Sequence, residues 1–305
     1  MQKNILTYWD LKLRKELQLG VEDLSRIVKK MFLFLSVSSM FIGGTGFFKT
    51  FIGYYFLGMT PNFLVCLAVS LFAFAIYTLD KIADMDKDAA NLPERLSFLK
   101  GRKNLATGYA LSAYSLAIVI VLLDMPLALP ILIFPLAVNL IYGSKPISSL
   151  PRLKDLPFIK NFIVAITWAL GTALLPAMHS SNASMITVAS VFYFMLIKTF
   201  IDTVLYDIRD VKGDRDSGVK TIPVLIGPRK TIAILLLLEI TLLPSLEFID
   251  VALRPLAAIL VLFGFGYIVY FRERRNPLAL DLCVEGEWML ATCLFSILRI
   301  MGLSM

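Results

Sequence analysis

The sequence predicts an all-α fold: a polytopic helical membrane protein of about nine spans. Three observations lead there. Hydrophobic residues make up 58% of the 305-residue chain, and mean hydropathy is +0.76, both far above a typical soluble domain. Runs at 31–48, 61–79, 104–123, 184–201 and 253–271 are long and nearly uncharged, and about 20 such residues suffice to cross a bilayer. The runs are continuous rather than alternating, which excludes a closed membrane barrel.

Taken in order, the spans are expected at 31–56, 61–80, 104–123, 126–142, 160–178, 184–204, 230–246, 253–271 and 280–301. All 305 residues form one membrane domain. Residues 1–30 mix Lys12, Arg14, Lys15, Glu16, Glu22, Asp23, Arg26, Lys29 and Lys30. That pattern reads as an interfacial amphipathic helix, not as a cleavable signal with its short basic region and small-residue cleavage site. With the N-terminus inside, the basic residues gather at 1–30, 81–103, 143–159, 205–229 and 272–279, with Lys49, Arg254 and Arg299 among the exceptions. This is the positive-inside asymmetry. It places the protein in the cell membrane as a multi-pass chain, with its C-terminus outside and 81–103, 143–159 and 205–229 as cytosolic cap loops. The net charge of +7 thus follows from topology, and no nucleic-acid partner is expected. Cys66, Cys283 and Cys293 have neither metal nor redox spacing and read as small apolar residues.

Two acidic clusters end apolar runs on the same side. Asp80, Asp84 and Asp88 recur every four residues and so stack on one helical face, with Asp86 elsewhere. Three carboxylates on one face repel unless cations neutralise them. Mg²⁺ suits such oxygens and shares them with substrate phosphates. A solvated acidic face balanced by Lys81 and Lys87 is the alternative. Asp207, Asp210 and Asp214 form a second such face, with Tyr206 on its stripe. Arg209, Lys212, Arg215 and Lys220 are interleaved and suit an anion, while a plain charged loop is the alternative. Gly213, Gly218, Pro223 and Gly227 are expected to turn the helix into a loop. The stretch from Tyr142 to Lys160 adds Lys145, Arg152 and Lys154, suited to phosphate oxygens or to ordinary inside charge. The span, acidic exit and basic loop at 61–103 are mirrored at 184–229. This suggests two four-helix halves plus a ninth helix. The one histidine, His179, falls in an outer loop and reads as solvated.

These residues resemble the UbiA superfamily of membrane-embedded prenyltransferases. That family carries N-D-x-x-D-x-x-x-D and Y-D-x-x-D-x-x-x-D motifs. The second is intact as Tyr206, Asp207, Asp210 and Asp214, continuing into Gly218, Thr221 and Pro223. The first departs: Asp80 stands in place of Asn and Lys81 in place of Asp, while Asp84 and Asp88 match. Tyr142 and Lys145 match a Tyr-x-x-Lys element. Asn91-Leu-Pro-Glu-Arg95 is similar to the N-x-P-E-R of archaeal members.

The resemblance implies spans ringed around a central cavity. Both motifs would sit at its cytosolic mouth under a cap, with the isoprenyl tail in the apolar interior. It implies Mg²⁺ held by Asp80, Asp84, Asp88, Asp207, Asp210 and Asp214, of which Asp84, Asp88, Asp210 and Asp214 match the motifs' catalytic acids. Lys81, Arg95, Tyr142, Lys145, Tyr206, Arg209 and Lys212 would bind substrate. The implied reaction is ionisation of an allylic isoprenyl diphosphate, of geranyl to geranylgeranyl length or longer. Transfer would follow to a lipophilic aromatic or glycerol-phosphate acceptor, as in archaeal ether-lipid or quinone synthesis. Aromatic residues such as Phe72, Phe74, Tyr77, Phe192, Tyr193 and Phe194 are expected either to stabilise the cation or simply to pack. The competing class is a transporter of a phosphorylated or cationic solute. It would need ionisable groups and broken helices near mid-membrane, and Gly43, Gly44, Gly46 and Lys49 are its best support. A CDP-alcohol phosphotransferase lacks its D-G-x-x-A-R signature here.

Overall fold

A run of apolar residues can satisfy its backbone in lipid only by closing its hydrogen bonds within itself, so each run forms a helix. The computed structural model describes residues 22–28, 30–31, 34–35, 38–83, 85, 100–143, 158–179, 183–216, 218–273 and 277–300. All regular structure among them is helical. The main helices are α1 (Met40–Phe56), α2 (Phe63–Ala83), α3 (Lys103–Asp124), α4 (Leu129–Gly143), α5 (Ile159–Met178) and α6 (Met185–Asp216). They are followed by α7 (Pro228–Ile240), α8 (Arg254–Tyr270), α9 (Pro277–Val284) and α10 (Gly286–Ile300).

Six of these segments are long and apolar enough to cross a bilayer: α2, α3, α5, α6, and α7 and α8 with their adjoining 3₁₀ turns. The chain is therefore a multi-pass membrane protein. The other three expected spans hold shorter helices. α1 has 17 residues, α4 has 15, and the last is split into α9 and α10. α3 exposes Leu111, Leu116, Val119, Leu122 and Leu123, an apolar surface suited to lipid rather than water.

Successive helices pack side by side from α1 to α8, and α10 returns to touch both α8 and α1. The result is a closed ring. Close helix approach in lipid depends on small residues. Gly43 and Gly46 do this work between α1 and α2, where a Cβ would press on Ser70 and Phe74 or on Val69 and Ser70. These glycines pack an unbroken helix; they do not break it as a transporter would need.

Gly53 carries α1 onto α5. Pro176 has no N–H, so the Thr172 carbonyl four residues earlier loses its helical partner. α5 widens there into a π turn, Leu170–Leu174. A Cβ on Gly53 would collide with that carbonyl oxygen.

The expected cap loop at 205–229 is largely helical. α6 runs unbroken through Gly213 to Asp216, and a short helix follows at Ile222–Ile226. Arg215 in the last turn complements the helix dipole. The stop comes at Gly218, with φ 73. There Val219 N–H bonds Asp214 O at 2.8 Å and Gly218 N–H bonds Arg215 O at 3.2 Å, the paired closure a left-handed residue permits. His179 is likewise more than a solvated side chain. Its Nε2 lies 3.1 Å from Asn62 Nδ2 and 3.7 Å from Asp124 Oδ2. It thus ties the start of α2 to the ends of α3 and α5.

A Gly53→Ala substitution is expected to cost about 1–3 kcal/mol of stability through overpacking. Gly266→Ala, where a Cβ meets nothing within 4 Å, is expected to be neutral or to gain up to about 1 kcal/mol of helix propensity. Thermal unfolding of the two variants in detergent checks this contrast.

Candidate active site

Among the described residues the ring lines a cavity of about 410 Å³, within the range of small-molecule sites. Its apolar wall includes Ile42, Val69, Phe72, Ile76, Ile131, Leu132, Val138 and Val164. Pro135 also faces it, from inside α4. The other end is charged: Asp80, Lys81, Lys160, Asp207, Arg209, Asp210 and Asp281 all line it. An apolar space thus opens onto a cluster of acids and cations.

The α6 stripe forms as its spacing predicts, because residues three and four apart share a helix face. Asp207 is buried, and Asn161 Nδ2 donates to its Oδ2 at 2.8 Å. Lys160, beside it at the start of α5, faces the same space. Arg209 grips Asp210 with two bonds, Nε to Oδ1 at 2.9 Å and Nη2 to Oδ2 at 2.8 Å, the bidentate geometry that fixes a carboxylate. Its Nη1 lies 3.6 Å from Asp281 Oδ1, and its guanidinium stacks 4.9 Å over the Tyr206 ring. Tyr206 in turn donates to Glu285 Oε1 at 3.2 Å. Asp214, one turn beyond, accepts from Thr221 Oγ1 at 3.2 Å and stands outside the cavity wall. Lys212 is exposed and also outside it.

Across the cavity, Asp80 and Lys81 come from the end of α2. The structure therefore brings Asp80, Lys81, Tyr206, Asp207, Arg209 and Asp210 to one place. Asp84, Asp88, Arg95 and Lys145 lie outside the described residues, and of Tyr142 only the backbone, at the end of α4, is described. No three described acids or other ligands already converge as a closed metal cage. The donor set is nevertheless all carboxylate oxygen, the type that hard divalent ions take.

Several site residues escape the motif reading. Lys160 and Asn161 close the basic stretch read as suited either to phosphate oxygens or to topology, but neither was expected to stand beside Asp207. Asp281 and Glu285 are four apart in an apolar run, a spacing that gives one face and was the signal available. Deeper still lies a buried charged cluster. Lys198 Nζ donates to Glu287 Oε2 at 3.0 Å, to Tyr267 Oη at 2.7 Å and to Leu260 O at 3.3 Å, and stands 3.7 Å from Glu239 Oε1. Gly264 leaves the room: a Cβ there would overlap the Glu239 carboxylate. Lys49 Nζ donates to Thr199 Oγ1 at 2.6 Å and lies 4.6 Å above the Trp288 ring and 5.4 Å from that of Trp168. Of the expected aromatics, Phe72 and Tyr77 reach the cavity. Phe194 is core, packed edge-on to Phe56.

Comparison with known proteins gives a consistent result. Residues 31–281 match the model of the UbiA prenyltransferase family. A digeranylgeranylglyceryl phosphate synthase from Methanobrevibacter smithii is 30% identical over 218 residues, 68% of this chain and 71% of that protein. One from Sulfolobus acidocaldarius is 29% identical over 174 residues, 55% of this chain and 58% of that protein. Among solved structures, a UbiA homolog from Archaeoglobus fulgidus bound to GPP and Mg²⁺ superposes with a TM-score of 0.61 at 15% identity, covering 85% of this chain and 96% of the other. A digeranylgeranylglyceryl phosphate synthase structure gives 0.55 at 18% identity, covering 87% and 95%. At these identities the solved structures establish a shared fold.

Removing the cation from the deep cluster would leave buried carboxylates uncompensated. Lys198→Ala is expected to destabilise the protein by about 3–5 kcal/mol. A large fall in its detergent unfolding midpoint checks this.

Proposed function

Because the chain belongs to the UbiA prenyltransferase family, we propose that it transfers an isoprenyl group from an isoprenyl diphosphate to the hydroxyl of a glycerol-phosphate lipid, with Mg²⁺ as cofactor. One observation carries this reading: a single cavity joins an apolar wall to the carboxylates at the ends of α2 and α6. The acceptor rests on relatives named digeranylgeranylglyceryl phosphate synthase. The donor and metal rest on neighbours bound to GPP or DMAPP with Mg²⁺.

Asp80, Asp207 and Asp210 would hold the metal, joined by Asp84, Asp88 and Asp214 from the same two motifs. When bound, the ion supplies Lewis acidity to the diphosphate oxygens as charge builds there. The chain's own groups do the rest. Asn161 fixes the Asp207 carboxylate, and Arg209 fixes that of Asp210. Lys160 and Lys81 face the same charged end and balance the phosphate oxygens, and Lys145 and Arg95 are proposed to join them from the cap. The isoprenyl tail lies along Val69, Phe72, Ile76 and Leu132, excluding water from the developing allylic cation. Trp168 Nε1 donates to Tyr77 Oη at 3.0 Å, holding two ring systems where they face that cation. Segments 81–103 and 143–159 are proposed to cap the mouth on the cytosolic side.

The transport reading draws on charges within the bundle. Lys198 and Glu287 are fully buried and bonded to each other and to Tyr267, so they are accounted for as part of the wall.

Purified protein is expected to release diphosphate from geranylgeranyl diphosphate only with Mg²⁺ and a glycerol-phosphate acceptor. Chelation should abolish release. Asp210→Asn should lower it by about 10²–10³-fold, the usual cost of losing a transition-state charge contact, with the unfolding midpoint unchanged. Asp80→Asn, which restores the family residue, should keep release within about threefold, under 0.7 kcal/mol of barrier. Full activity of Asp210→Asn, or release that ignores chelation, would refute the metal assignment.

A further inference from the structure

Asp202 is a carboxylate that neither acidic motif includes. It is buried, yet it lines the cavity. It lies five residues before Asp207 on α6, about 7.5 Å deeper along the axis at 1.5 Å per residue. With the diphosphate at the charged end, its allylic carbon points toward the apolar wall and so toward this depth.

The surroundings of Asp202 are built. Tyr267 Oη, on α8, donates to its Oδ1 at 3.0 Å. That hydroxyl cannot turn away, because Lys198 Nζ donates to it at 2.7 Å and its single proton is thereby directed at Asp202. No described protein donor is bonded to the other carboxylate oxygen, Oδ2. From α1, Lys49 reaches Thr199, one turn earlier on the same α6 face. It supplies the facing cation. Glu285 and Glu287 stand on the adjoining α9–α10 segment, Glu285 on the cavity wall and Glu287 bound to Lys198. Tyr206 is committed to Glu285. Asp202 and Glu285 are each oriented by a tyrosine hydroxyl, and Asp202 is the one whose tyrosine is itself pinned by an ammonium group. With Oδ1 held by Tyr267, Oδ2 is the oxygen placed to meet an incoming hydroxyl.

We propose that Asp202 takes the proton of the acceptor hydroxyl as the new ether bond forms. This rests on the transfer reading above. In the step, the bond between the allylic carbon and the diphosphate oxygen breaks, and its electron pair leaves with the diphosphate. A lone pair of the acceptor oxygen forms the C–O bond to that carbon. The O–H pair returns to oxygen, and the proton passes to Asp202 Oδ2. Tyr267 is a positioning residue and Asp202 the catalytic one. The ligand class is a hydroxyl-bearing lipid rather than an aromatic ring.

The test measures two quantities on each variant: Mg²⁺-dependent binding of geranylgeranyl diphosphate, and ether product with a glycerol-phosphate acceptor. Asp202→Asn keeps the shape and the bond from Tyr267 but is a far weaker base. It is expected to bind the diphosphate as the wild type does, with ether formation lowered about 10²–10⁴-fold, the range for a lost general base. Asp202→Glu is expected to restore part of that loss. Ether formation by Asp202→Asn within threefold of wild type would overturn the proposal. So would a matching loss of diphosphate binding, which makes Asp202 merely structural. Should Asp202→Asn fail to fold, Tyr267→Phe keeps the carboxylate and removes its orienting donor. It is expected to lower kcat about tenfold at an unchanged diphosphate KM, and an unchanged kcat would overturn the assignment. Failure of the underlying transfer reading is separate: the wild-type protein would then release no diphosphate with acceptor present.

Discussion

Carboxylates gathered at the mouth of an apolar cavity repel one another, and this repulsion is the constraint on which the rest of the structure depends. Asp207, Asp210 and Asp281 at the charged end each have a partner. Asn161 holds Asp207, Arg209 holds Asp210 and faces Asp281, and Lys160 stands within the cluster. These partners hold the carboxylates in place without filling the cavity. A divalent cation completes the compensation in the proposed complex, and the diphosphate then finds an excess of positive charge where the free protein has an excess of negative.

Holding those groups in register is a packing problem. Glycines at 43, 46 and 53 bring α1 against α2 and α5, and the ring closes where α10 meets α1. Pro176 matters for the same reason. By freeing the Thr172 carbonyl it widens α5 at the point where α1 crosses. The deep cluster of Lys198, Glu239, Glu287 and Tyr267 then links α6, α7, α8 and α10. In a low-dielectric interior such links hold only one arrangement well. The wall that orients Asp202 is therefore also the wall that fixes the helices.

Much of this was legible in the sequence. Long uncharged runs specify helices whatever their neighbours, so the all-helical membrane class follows directly. The Asp207, Asp210 and Asp214 spacing specifies one helix face, and the structure has that face. What the sequence hid depends on the third dimension. Gly213 reads as a helix end, yet the end waits for Gly218, where the carbonyls of Asp214 and Arg215 find their donors. Lys49 and the glycines near it read as a break, but they are a packing stripe and a buried cation. Glu239, Tyr267 and Glu287 lie in separate runs, far apart in the chain, and only the closed ring brings them to Lys198 and Asp202. Lys160 stayed open between phosphate contact and topology because a cation at a span entrance carries the same letter whether it faces lipid headgroups or an acid.

The central claim is that the α2 and α6 acids jointly hold a metal–diphosphate complex. It is tested most directly by replacing Mg²⁺ with Mn²⁺ and recording electron–nuclear double resonance with geranylgeranyl diphosphate bound. The account predicts one bound Mn²⁺ class with ³¹P couplings from the diphosphate, lost when either Asp80 with Asp84 or Asp207 with Asp210 is changed to Ala. Mn²⁺ binding without ³¹P coupling, or binding that survives either double change, would contradict it.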